Sequence, residues 1–196
     1  MEYTGEQPER KGHHGGMINY DNTKFKELLL YVSERSVGDP HFGKTKLNKI
    51  LYYIDFQSYG MSGEPVSGAH YVRRPYGPVP REIVRARREL EETGAARVEA
   101  AVRFGYPQGR LVAQRPADTS VFSKSEMELI DDVLRALRGM SAVEVSELSH
   151  REPGWRVAKD GEQIPYCTVF LSSRSVTDDD LRRGQEIYQA LSAVSE

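Results

Sequence analysis

The chain has 196 residues, 38% apolar and 29% charged, a balance that suits one globular domain with its own core. Lys and Arg number 27 against 29 Asp and Glu, so the net charge of −2 provides no general attraction to nucleic acid or anionic lipid. A single cysteine, Cys167, excludes an internal disulfide or a cysteine-rich zinc site and fits a reducing cytoplasm; with no base identifiable beside it, it reads as a small residue in or near the core.

Residues 1–19 are polar and contain Gly and His, so they read as a disordered tail ahead of one domain over residues 20–196. His13 and His14 in that tail are too flexible a pair for a specific metal site. Phe25, Leu28, Leu29 and Val32 then recur at helical spacing behind Asn22, a cap residue type. "VGDPHFG" breaks that helix, and a second begins near Lys44. Leu47, Ile50, Leu51 and Ile54 form its stripe, and Tyr52, Tyr53, Phe56 and Tyr59 widen the apolar surface beyond one face. Gly60 and Gly63 read as its end. An extended piece, Ala69–Arg73, precedes a proline corner, and Pro80 is placed in the first turn of a third helix that runs to Gly94. The arginines and glutamates of that helix fall at one-turn spacing, which describes a solvated, salt-bridged face.

From Arg97 the period changes to two, with Val98, Ala100, Val102 and Phe104 on one side, and "GYPQG" turns the chain into a returning "RLVAQ". Ser123 with Glu126, and Ser141 with Glu144, have capping-box spacing and open two further helices. "REPGWRVAKDGEQIPY" reads as a looser segment. Thr177 followed by three aspartates suits the positive end of a last helix. The expected fold is mostly α (α+β): a compact single domain of five or six helices with a small antiparallel β-hairpin. It spans no membrane, since no apolar run approaches the ~20 residues required.

No phosphate loop, His-Glu-x-x-His helix, paired-cysteine knuckle or Gly-x-Ser-x-Gly elbow occurs, so no catalytic residue, metal or cofactor is assigned. His41, His70 and His150 stand apart from acids at ligand spacing. His150 falls at a helix C-terminus, where the dipole favours a cation and a neutral ring can bond the last carbonyls. Trp155, the only tryptophan, reads as an anchor, either of the core or of a partner. The least ordinary stretch is Arg73-Arg74-Pro75-Tyr76-Gly77-Pro78-Val79-Pro80. Its prolines restrict the backbone and hold Tyr76 in one place. It serves either as a rigid connector or as a preorganised recognition ridge whose arginines bond acids.

Two blocks carry a resemblance. Lys46, Leu47, Lys49, Ile50, Leu51, Tyr52 and Tyr53, followed by Tyr76, Gly77, Pro78 and Val79, are similar to the signature of the Panacea domain, the SocA-like antitoxin domain also found in phage-associated proteins. Leu148, Ser149, His150 and Trp155 resemble a later block of the same family, and the likeness spans about Phe25 to Phe170. Arg73-Arg74-Pro75 departs from the family pattern at the corner.

The resemblance implies an antitoxin of a type II toxin–antitoxin pair, acting in the cytoplasm. Such a protein neutralises a cognate protein toxin encoded by an adjacent gene through direct binding, and some relatives also deliver the toxin to a protease. On this reading Arg73, Arg74, Tyr76, Val79 and Trp155 contact the partner, while Lys46, Leu47, Leu51, Tyr52, Gly77, Pro78 and His150 are motif residues of structural weight. One alternative is a DNA-binding autoregulator of its operon. Its would-be recognition segment offers only Arg156 and Lys159 for phosphates and no cluster for base edges, which counts against DNA as a partner. The other is a small hydrolase using His150 with Asp55 or Asp160.

Overall fold

A computed structural model describes residues 18–103, 106–171 and 182–183. In chain order the elements are α1 (Asn22–Arg35), α2 (Lys44–Ser62), β1 (Tyr71–Val72), β2 (Val79–Pro80), α3 (Ile83–Glu92), β3 (Ala96–Arg103), β4 (Tyr106–Ala113), α4 (Lys124–Leu137), α5 (Ala142–His150) and α6 (Pro153–Val157). Short 3-10 turns lie at Thr119–Val121 and Tyr166–Phe170. The architecture is mostly helical, with two small antiparallel two-stranded ladders.

α2 is the axis of the fold. Every residue from Lys46 to Phe56 is buried, because α1, α4, α5, β2, β4 and the Tyr166–Phe170 turn all pack against it. A helix enclosed on all sides needs apolar surface all round, which explains why Tyr52, Tyr53 and Phe56 broaden its stripe. Tyr52 and Phe56 stack at 4.1 Å, and both meet the Tyr71 ring edge-on at 5.5 Å. Gly63, at φ 81°, supplies the left-handed stop. Gly60 does not end the helix.

Several local expectations shift. Asp21 rather than Asn22 caps α1, accepting from the Lys24 N–H at 2.9 Å. Pro80 is not in a helix: Tyr71 pairs with Pro80 and Val72 with Val79, the Arg81 N–H continues the ladder to the His70 carbonyl at 2.8 Å, and α3 starts only at Ile83. A proline at the edge of a two-residue ladder forfeits little. Ion pairs Arg85–Glu89 and Arg88–Glu92 do line the exposed face of α3. "GYPQG" is not all turn, since Tyr106 to Gly109 pair with Arg103 to Ala100. Among the β3 residues whose side chains are described, the base faces the core: Ala96 is buried and Val98 half-buried, but Ala100 is exposed. The "loose" segment contains α6, with Pro153 in its first turn. Cys167 is exposed, not in the core, because its neighbours Tyr166 and Thr168 point inward on the same 3-10 turn. Both capping boxes form as expected.

The hairpin is fastened to α1 through two arginines. Arg115 and Glu27 form a two-pronged pair at 2.9 and 2.5 Å. Arg110 bonds the carbonyls of Ser36, Val37 and Asp39 just past the C-terminus of α1, where backbone acceptors lack helical partners. Ile18 and Tyr20 pack against the core. Residues 1–17 of the expected tail and the start of the expected last helix at Thr177 lie outside the described residues.

Candidate functional site

The proline corner sits on one flank of α2 and is fastened from beneath. A chain rich in proline has few N–H groups to give and many carbonyls to satisfy. Here the carbonyls are taken in turn. The Arg74 oxygen accepts from the Gly77 N–H at 2.9 Å and from the Trp155 indole at 3.2 Å. The Pro75 oxygen lies against the His150 ring. The Tyr76 oxygen accepts from Ser146 Oγ at 3.3 Å, and the Pro78 oxygen accepts from Lys49 Nζ at 3.2 Å. On its leading edge, the Arg73 N–H and carbonyl bond Glu162 and Gly161, each at 2.9 Å, extending the sheet onto the segment after α6. The two sequence blocks that stood about 70 residues apart therefore meet here, and the later one holds the earlier one in place.

The side chains divide accordingly. Arg73 turns inward: its guanidinium lies 4.3 Å from the centre of the Trp155 ring and bonds the Ala158 carbonyl at 3.0 Å. Trp155 is half-buried and stacks on His150 at 4.0 Å. Val79 is half-buried, and Gly77 and Pro78 are buried. Arg74 and Tyr76 face outward, with Tyr76 76% exposed. Gly77 has φ +99°, a left-handed conformation, and stands so close to α2 and α5 that a methyl group would collide with Lys49 and Ser149. Leu47, Leu51 and Tyr52 lie in the core at 3, 0 and 2% exposure.

Lys46, Asn48, Lys49 and Asp55 are among the polar residues buried on α2, and they are not equally served. Lys46 has Asp39 at 2.6 Å and the Met140 carbonyl at 2.7 Å. Asp55 accepts from the Ser67 N–H and hydroxyl at 2.7 and 2.6 Å and from Tyr71 at 2.8 Å. Burial nevertheless raises its carboxyl from 3.8 to about 6, against the opposing pull of these bonds. Lys49 has the one carbonyl acceptor already named, and burial lowers its ammonium from 10.5 to about 8. Asn48 Oδ1 has no partner among the described residues.

His150 ends α5, as expected. Burial, then the nearby cations Lys49 and Arg73, hold its pKa below the usual value, so the neutral ring is favoured at its helix terminus. Its Nε2 is buried without a partner among the described residues. Neither acid suggested as its catalytic companion is bonded to it: Asp55 is engaged by Ser67 and Tyr71, and Asp160 lies 4.0 Å from Arg74. No cluster of potential metal ligands occurs among the described residues, and no described helix is long and apolar enough to cross a membrane.

The class these features define is a mostly helical module that carries a preorganised surface corner. The antitoxin SocA-like, Panacea domain family model matches residues 47–156, more than half of the chain, and the chain belongs to that family. The matched span contains both the corner and the helix ends that fasten it. No curated protein and no solved structure matches the chain significantly.

Sequence reasoning passed over Asn48 and Ser146 and gave Lys49 and Ser149 no role. A lysine at 49, amid Leu47, Ile50, Leu51 and Tyr53, was the available signal, since a cation flanked by apolar residues on an enclosed helix requires an internal acceptor.

Proposed function

We propose that this protein is the antitoxin of a type II toxin–antitoxin pair and that it neutralises a protein toxin, encoded by an adjacent gene, by binding it directly in the cytoplasm. The observation that carries this reading is Tyr76, 76% exposed on a backbone held by Trp155, Ser146 and Lys49, within the span that matches the antitoxin family. An aromatic side chain presented on a rigid loop gives contact area with little ordering entropy left to lose on association. Arg74 beside it supplies a planar donor for a carboxylate. Arg73 and Trp155 act as the fastening beneath this face, and Val79 forms its edge.

The test is to express the neighbouring gene with and without this chain, scoring growth and co-purification. A toxic neighbour rescued by a stable complex supports the reading; no toxic neighbour and no copurifying product refutes it. Within such a pair, Arg74→Glu weakens binding by about tenfold or more, the scale of one lost charge-assisted contact at an interface, while the melting temperature stays within about 2 °C. Loss of folding in that variant would instead make the corner a connector.

A further inference from the structure

Two of the sparsely partnered polar residues of α2, Asn48 and Lys49, line the same cavity. A cavity of about 330 Å³ lies between the first turns of α2 and the corner, lined by Lys44, Thr45, Asn48, Lys49, Arg74, Tyr76 and Val79. Its ionisable lining is cationic at Lys44, Lys49 and Arg74 and contains no acid. Asp160 lies 4.0 Å from Arg74 at its rim, with both side chains more than half exposed. Lys49 is 1% exposed and has a single carbonyl acceptor for its three donors. Asn48 is 3% exposed, and its Oδ1 has no donor among the described residues. Gly43 offers no side chain to cap α2, so the positive end of a 19-residue helix borders the same space.

A buried polar group left unpaired costs about 1–3 kcal/mol, and a charged one more. Lys46 and Asp55, on the same helix, avoid this cost with internal partners. Lys49 and Asn48 have the cavity instead. We propose that the cavity receives an acidic side chain, Asp or Glu, of the partner protein, with Lys49 as its anchoring cation and Arg74 and Lys44 at the rim. The partner's carboxylate takes the unused Lys49 donors and faces the α2 terminus. A backbone N–H next to that acid satisfies Asn48 Oδ1, and its aliphatic stem lies against Tyr76 and Val79. A polypeptide segment brings acceptor and backbone N–H donor together at a fixed spacing, whereas a phosphate monoester dianion brings only acceptors. This assignment deepens the proposed toxin-binding role and rests on it for the identity of the partner, but the chemistry of the cavity is testable without the toxin.

The probe is an N-acetylated, C-amidated Ala-Glu-Ala tripeptide titrated to tens of millimolar into the ¹⁵N-labelled full chain and followed by amide shifts. Ala-Gln-Ala and inorganic phosphate serve as separate arms. Saturable shifts at Lys44 to Lys49 and at Gly77 are expected with the Glu peptide and not with the Gln peptide. Lys49→Met, which keeps most of the length of the side chain without its charge, should abolish them. Arg74→Gln, at an exposed rim position with no burden on folding, should weaken binding about threefold, as for a partly screened ion pair. Absence of localised shifts, equal binding of the Gln peptide, undiminished binding by Lys49→Met, or binding of phosphate in place of the peptide would each overturn the proposal. Peptide binding in a chain that has no toxic neighbour would leave the cavity assignment standing and remove only the toxin.

Discussion

Gly77→Ala tests whether the corner is fastened as tightly as its geometry indicates. Gly77 sits at φ +99°, where an L side chain costs about 1–2 kcal/mol. The added methyl group would also lie inside van der Waals contact with Lys49 Cε and Ser149 Oγ and 2.9 Å from Lys49 Nζ. Overpacking of that kind costs about 1–3 kcal/mol more, so the substitution should destabilise by about 2–5 kcal/mol in all. Urea unfolding followed by circular dichroism measures it, with an unchanged slope showing that the surface exposed on unfolding is the same. Ser149→Ala removes one of the colliding atoms. The double variant should therefore recover about 1 kcal/mol relative to the sum of the single changes, as expected of groups in contact. A loss below about 1 kcal/mol for Gly77→Ala, or strict additivity with Ser149→Ala, would show that the corner yields and does not present Tyr76 rigidly.

Two further outcomes follow from titratable groups, Asp55 in the core and His150 at the end of α5. Burial pushes the Asp55 carboxyl up to about 6 in the folded protein against its ordinary 3.8, so between those limits the native state holds a proton that the unfolded chain has released. Stability is then fully present below about pH 4 and falls as pH rises to about 6, by about 3 kcal/mol for a two-unit shift. The difference in unfolding free energy between the natural chain and Asp55→Asn, measured from pH 4 to 7, should shrink by that order, and a pH-independent difference would refute the assignment. His150 stacks on the only tryptophan at 4.0 Å, so its protonation should quench Trp155 fluorescence. The midpoint should fall below 6.5 because burial, Lys49 and Arg73 oppose the charge; a midpoint at or above 6.5, or one that survives His150→Gln, contradicts this arrangement.

What the sequence determined by itself was local. Apolar spacing identified α1 and α2, the Ser-x-x-Glu pairs placed the starts of α4 and α5, and the change to period two placed the hairpin, because each depends on residues within a few turns of one another. The family signature was legible for the same reason, as short runs of defined residue type. Tertiary structure decided which polar groups were satisfied. Nothing near Lys46 in the chain distinguishes it from Lys49, yet one is given Asp39 and Met140 and the other only the Pro78 carbonyl and a cavity. Pro80 likewise became a strand residue through Tyr71, and Trp155 became the fastening of Arg74 across about 80 residues of chain. Those outcomes depend on where the folded backbone puts donors and acceptors, and hydrogen bonds act over about 3 Å of space regardless of separation along the chain.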